Sequence, residues 1–312
     1  MENTTEATQF ILLGLTKVTS LRVPLIMIFS FIYAVNAIGN VGMILLIFLD
    51  SRLHSPMYFF LSNLSLIDFC YSTSVFPTAM AGLFIGDKVI SYNACAAQMF
   101  FFALFVTGEV YILAAMAIDR FAAVCKPLHY TTIMTTGVCA GLAIACYVAG
   151  ITNASIQVGE AFSGTFCSSN VVHHFFCDVP AVMSLSCSKN HFGEMVLLYV
   201  DTFNVFSALL VIFVSYIFIF INLLKMRSSA GYQKAVSTCA SHVTAISIFF
   251  GALMFMYLQP SSSHSMDTDK MASVFYTMVI PMLNPIVYSL RNKEVKNAIK
   301  KVGEKTKLSL GL

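Results

Sequence analysis

Residues 23–49 read VPLIMIFSFIYAVNAIGNVGMILLIFL, an uncharged stretch between Arg22 and Asp50. Crossing the hydrocarbon of a bilayer takes a helix of about 20 mainly apolar residues, and this run exceeds that. The chain around it has the matching composition. Of 312 residues, 58% are hydrophobic and 11% charged, and the mean hydropathy is +0.80. A soluble domain carries about 25% charged residues, so a membrane protein is the class that fits. The net charge of +3 is too small and too dispersed to indicate a nucleic-acid partner.

Further runs of the same kind follow. Residues 53–67 and 69–86 are interrupted only by Asp68, and 89–108 and 110–118 only by Glu109. Uncharged runs over 127–159, 202–224, 235–266 and 271–290 complete the series. The spacing predicts helices at 24–49, 57–81, 94–125, 138–158, 193–224, 235–259 and 271–289. The expected fold is an all-α membrane protein, a seven-transmembrane helix bundle in a single domain over 1–312. Residues 1–23 form an extracellular N-terminus, 24–289 the bundle and 290–312 a cytoplasmic tail.

Orientation follows from lysine and arginine, which favour the cytoplasmic side. With the N-terminus outside, thirteen of the eighteen fall on inner segments and five (Lys17, Arg22, Lys88, Lys189, Lys270) on outer ones. The opening MENTTEATQF has neither a basic nor an apolar segment of a cleaved signal peptide. Asn3-Thr4-Thr5 is a glycosylation sequon on the expected outer side. Asn63-Leu64-Ser65 lies inside a span, and Asn153-Ala154-Ser155 too near the bilayer.

One connection is long, roughly 159–192 on the outside, and loops of that length in compact proteins are functional or disordered. Its three cysteines argue against disorder. Cys95, Cys167, Cys177 and Cys187 all fall on the oxidising face, where two disulfides are plausible and three pairings are open. A bridge to the top of the third span would lay the loop over the bundle as a lid. His173, His174, Cys177 and Asp178 of HHFFCD have metal-ligand spacing, but an oxidised cysteine is no ligand, so packing is the preferred reading and no metal is expected.

Residues 114–125, AAMAIDRFAAVC, set Asp119 beside Arg120 in apolar surroundings. Charges within a membrane cost about 2.5–3.5 kcal/mol each on insertion scales and are functional candidates by default. The pair reads either as an interfacial salt bridge fixing helix depth or as a latch whose guanidinium exchanges partners as the inner helix ends part; the latch is favoured. Asp68 and Glu109 lie deeper, and two acids in one bundle repel unless a cation or a proton is shared. A hydrogen-bond network holding one proton is preferred. Pro281 and Pro285 allow the last span to bend.

In order and at the right spacing, Gly39-Asn40, PMYFFLSNLSLIDFCYS (56–72), MAIDRFAAVCKPLHY (116–130), Ser215-Tyr216, KAVSTCASH (234–242) and PMLNPIVYSLRNKEV (281–295) resemble the odorant receptors, class II (tetrapod type), of the rhodopsin-like G-protein-coupled receptors. The chain departs from the family's MAYDRY at Ile118 and Phe121, from FYG at Phe249-Phe250-Gly251, and from PKML at Pro77-Thr78-Ala79-Met80. Hydroxyl groups are lost, but no charged switch residue.

The resemblance implies disulfides Cys95–Cys177 and Cys167–Cys187. It implies a coupling switch of Asp119, Arg120, Tyr216, Asn284, Pro285 and Tyr288, and a buried polar network of Asn40, Asp68, Glu109 and Asn284. It implies a ligand cavity lined by Phe102, Ala103, Val106, Thr107, Asp201, Asn204, Tyr257, Val274 and Thr277. The first four also fall on one helical stripe. For Asp201 a lid contact near the headgroups is the competing reading. If ionised it favours an amine or strong donor, if protonated an alcohol or carbonyl.

The implied partners are a small-molecule odorant, a stimulatory heterotrimeric G protein raising cyclic AMP, and membrane lipid. The implied location is the plasma membrane. Residues 291–307, RNKEVKNAIKKVGEKTK, space Val295, Ala298, Ile299 and Val302 on one face among lysines, as in a short amphipathic helix on anionic lipid. Neither internal repeats nor a polar stripe along a whole helix suggest a transporter. No GxSxG, HExxH or phosphate-cradling glycine loop suggests an enzyme, so no catalytic residue or cofactor is expected.

Overall fold

The computed structural model describes residues 8–16, 18–166, 169–187, 191–226, 229–257 and 266–309. Its long helices are α1 (Thr19–Leu49), α2 (Pro56–Ile85), α3 (Tyr92–Cys125), α4 (Thr136–Ala161), α5 (His191–Lys225) and α6 (Ser229–Tyr257). Then α7 runs as Met266–Val274, a π-helical turn Phe275–Val279 and Ile280–Arg291, followed by α8, Lys293–Ser309. The uncharged runs account for the helix interiors, and local chemistry sets the ends. Pro56 sits in the first turn of α2, where its missing N–H costs nothing. Ser91 and Thr135 each accept a backbone N–H, from Ala94 and Val138, to start α3 and α4. α2 stops at Gly86, whose φ of 86° suits a residue without a Cβ.

Among the described residues, six helices are long and apolar enough to cross a membrane. In α6 the apolar segment found among the described residues is Cys239–Leu253. Several helices begin before the expected spans, α1 at Thr19 and α5 at His191. Charged residues cap the apolar runs but do not end the helices.

α3 is the central post, packed on α2, α4 and α5 and touching α6. Two glycines set close approaches. A Cβ on Gly150 of α4 would stand 2.6 Å from the Leu104 carbonyl oxygen of α3, and one on Gly39 of α1 2.9 Å from the Pro285 ring of α7. The outer faces stay apolar, as with Phe203, Phe206 and Phe213 of α5, all exposed. That inversion suits lipid.

At one end of the bundle the loop between α4 and α5 forms a lid. A disulfide joins Cys95 at the start of α3 to Cys177, with Cα atoms 5.5 Å apart. Cys187 is also disulfide-bonded, while its expected partner Cys167 lies outside the described residues, as does Asn3. The lid carries a short helix, Val179–Met183.

A three-stranded sheet, not anticipated in an all-α plan, ties the lid down. β1 (Gln9–Leu12) lies between β2 (Lys88–Ser91), antiparallel, and β3 (Val171–Val172), parallel. Phe10 and Leu12 are buried against Met99, Val172 and the Cys95–Cys177 pair. Thus the segment expected as a plain N-terminus is part of the core, for its alternating apolar residues cover the lid's inner edge. At the opposite end, α8 buries Val295 and Ala298 in the main core while Ile299 stays exposed.

Candidate functional site

Beneath the lid lies a cavity of about 860 Å³. Phe102, Ala103, Val106, Thr107 and Val110 supply its α3 wall, at three- and four-residue spacings that keep them on one face. Phe249 and Leu253 of α6 and Tyr276 and Ile280 of α7 extend the apolar surface. The polar wall is made by α4 and α5. Asp201 Oδ1 accepts hydrogen bonds from Gln157 Nε2 at 2.8 Å and Asn153 Nδ2 at 3.3 Å. Asn153 also donates to Thr107 Oγ1 at 2.8 Å, joining α3, α4 and α5 across one corner. Asn204 Oδ1 accepts from Tyr111 at 2.9 Å.

Six of the nine expected lining residues therefore meet here: Phe102, Ala103, Val106, Thr107, Asp201 and Asn204. Val274 and Thr277 do not line the cavity. Val274 packs with Phe29 and Val75, and the Thr277 carbonyl accepts from Ser72 of α2 at 3.1 Å. Each residue turns a helix by about 100°, and α7 presents Ser273, Tyr276 and Ile280 to the cavity instead. The π turn at 275–279 sits within that stretch, a distortion no simple spacing rule registers. Tyr257 ends α6, and its side chain lies outside the described residues.

Three contributors were given no cavity role in the sequence. Gln157 had no assigned role, and Asn153 was noticed only as an unusable sequon; at 4% exposure, with its amide engaged, it is closed to a glycan. The third is His174 of the lid, whose Nε2 lies 3.1 Å from Ser273 Oγ of α7. Burial, and then the Lys270 ammonium, hold this imidazole's pKa down at about 3. Gln98, one turn from Cys95, donates to Ser74 O and Thr78 Oγ1 of α2 and accepts from the Cys177 N–H, each at 2.9 Å.

In mid-bundle, Asn284 Nδ2 donates to Asp68 Oδ2 at 2.9 Å and Glu109 Oε1 at 3.3 Å, with both acids fully buried. Asn40 stands apart from these acids: it donates to Asn36 and to the Pro281 carbonyl, pinning α1 to α7. The expected network is thus two neighbouring groups, because Asn40 is spent on a helix carbonyl.

Toward the opposite end, Arg120 Nε lies 3.0 Å from Asp119 Oδ2 and Arg120 Nη2 closes a second bond to the same oxygen. Tyr130 donates to Asp119 Oδ1 at 2.7 Å. Both charged side chains are buried. Next to them a relay joins three helices. The Leu113 carbonyl can only accept, so His242 Nε2 carries the proton toward it at 3.1 Å, and Nδ1 accepts from Tyr216 at 2.8 Å. His242 was quoted in a motif but given no role. The Tyr288 hydroxyl is buried without a hydrogen-bond partner among the described residues, and Pro285 lies against Gly39.

A lidded cavity at one end and a buried acid–base pair at the other is an arrangement found elsewhere. A family model described as olfactory receptor matches residues 29–305. The chain belongs to the olfactory receptor family.

This olfactory receptor is 69% identical over 311 residues to Olfactory receptor 5B3 of Homo sapiens, covering 100% of this chain and 99% of that one. Against Olfactory receptor 5B21 of Mus musculus the identity is 61% over 302 residues, covering 97% and 95%. The fold resembles squid rhodopsin, with a TM-score of 0.72 over 93% of this chain and 87% of that one at 16% identity. The receptor is thus a multi-pass membrane protein of the G-protein-coupled class, and its relatives are receptors rather than enzymes.

Proposed function

We propose that the receptor binds small volatile, mostly apolar molecules in the cavity under the lid and activates a stimulatory heterotrimeric G protein, raising cyclic AMP. The observation that carries this reading is the 860 Å³ cavity, with apolar residues on α3, α6 and α7 and polar groups on α4, α5 and the lid. Such a site takes a greasy body and orients it by a few directed bonds. The basic residues gathered at the other end argue that the lid faces outward, with the N-terminus extracellular and residues 290–312 cytoplasmic on anionic lipid. On this reading residues 1–312 are one receptor domain in the plasma membrane, glycosylated at Asn3 and carrying a Cys167–Cys187 bridge in the lid.

Phe102, Ala103, Val106, Thr107, Asp201 and Asn204 contact ligand. Asp119, Arg120, Tyr216, Asn284, Pro285 and Tyr288 transmit the change. Arg120 is held at rest by Asp119 and Tyr130 acts on the same carboxylate; releasing Arg120 would free five donors for a partner's backbone. A ligand drives this only through unequal affinity for the two states.

The test is a chemically diverse odorant panel on cells reporting cyclic AMP, with the parent beside Arg120→Ala. At least one volatile should raise cyclic AMP in the parent, and the variant should lose the response at equal surface expression. Full signalling by Arg120→Ala would overturn the assigned coupling role, and a C-terminal epitope reached by protease from outside intact cells would overturn the orientation.

A further inference from the structure

The polar corner of the cavity is unbalanced in a definite sense. Gln157 and Asn153 both donate to Asp201 Oδ1, which leaves Oδ2 without a hydrogen-bond partner among the described residues. Asn153 spends its amide N–H groups on Thr107 and Asp201, so its Oδ1, buried in a residue only 4% exposed, also lacks a partner. Asn204 has the opposite surplus, an unpartnered Nδ2. Asn153 Nδ2 is 3.3 Å from Asp201, so the two spare acceptors belong to adjoining side chains. A buried acceptor left unmade costs roughly 1–3 kcal/mol, so this wall calls for hydrogen-bond donors.

Charge points the same way. The cavity is lined by three carboxylic acids, Asp178, Glu194 and Asp201, and among the described residues no lysine or arginine lines it. Glu194 sits at the exposed rim, 3.6 Å from His191. Of the two lid histidines that line it, His174 is held toward the neutral form by burial. Two amide donors on one oxygen work against burial, which favours the neutral acid, and a bound ammonium would tip that balance to the carboxylate.

We infer that the ligand class of this receptor is small hydrophobic primary amines, bound as ammonium ions. The ammonium donates to Asp201 Oδ2, and the hydrocarbon lies on Phe102, Val106, Phe249 and Tyr276. An alkylammonium has three donors and, with a pKa near that of lysine at about 10.4, is charged at neutral pH. An alcohol brings a neutral donor, and a hydrogen bond from a charged donor to the Asp201 carboxylate is about twice as strong; a carboxylate would meet acids without a countercharge. The inference rests on the receptor reading above for the identity of the cavity as the ligand site.

The experiment uses full-length receptor and a matched series: hexylamine, hexanol, hexanal and hexanoic acid. Melting-temperature shifts of the purified protein report binding, and cyclic AMP in cells reports signalling. Hexylamine should bind tightest. Asp201→Asn should weaken it by about tenfold or more, the effect of losing a charged hydrogen-bond partner, and should leave hexanol little changed. Asp201→Glu should keep the amine preference.

Hexanol, hexanal or hexanoic acid binding as tightly as hexylamine would overturn the inference, as would no binding by any member or an unchanged amine affinity in Asp201→Asn. The parent's own selectivity decides this even if Asp201→Asn fails to fold. Amine binding without cyclic AMP from any odorant would instead overturn the coupling reading and leave this one standing.

Discussion

His174 fastens the lid to α7 with a ring that must stay neutral. A free imidazole titrates at about 6.5, while burial and the neighbouring Lys270 hold this one at about 3. Between those values the unfolded chain takes up a proton that the folded lid refuses. Stability therefore falls as pH drops through that window. The melting temperature of purified receptor should decline from about pH 7 to about pH 5, and His174→Gln should flatten that decline; identical pH profiles would refute it. Gly150 makes a steric prediction of the same size. Gly150→Ala drives a methyl to 2.6 Å from the Leu104 carbonyl and should cost about 1–3 kcal/mol of overpacking. Gly141→Ala on the same helix meets nothing within 4 Å and should be neutral or mildly stabilising by the same melting assay.

Among the elements, α8 is docked by a specific clamp. Tyr58 of α2 donates to Glu294 Oε2 at 2.8 Å and to Asn292 Oδ1 at 3.1 Å, and Asn292 Oδ1 also accepts the Glu294 and Val295 N–H groups to cap the helix. Tyr58→Phe should cost about 1 kcal/mol and be seen as faster amide exchange in 293–309, with α4 unchanged. The spanning helices, unlike α8, were readable because lipid demands long runs with few charges. The α3 stripe was implied by the family resemblance, with the 3.6-residue spacing in support. What spacing could not convey was pairing at a distance. β1 is four residues long, and its alternation means nothing until Lys88–Ser91 and Val171–Val172 flank it. Nor could Asn153 and Gln157 be distinguished from ordinary polar residues near a helix end, because their role exists only opposite Asp201. The one-residue error on α7 arose where its ladder loosens into a π turn.

At the scale of the whole molecule, the Cys95–Cys177 bridge closes a loop across 82 residues and, with β1 and Gln98, makes the lid part of the bundle. Cys177→Ser should cost about 2–5 kcal/mol and expose residues 159–187 to limited proteolysis under conditions that leave the parent uncut; equal resistance would mean the sheet alone holds the lid. The sheet has a temporal meaning as well. β1 is its middle strand, yet it precedes both neighbours in the chain: β2 follows α1 and α2, and β3 is complete only once synthesis has passed Val172, after α1 to α4. β1 therefore meets one partner after two helices have inserted and the other only after four, so the last act of assembling this end of the receptor is the arrival of the lid at an antiparallel pair already waiting for it.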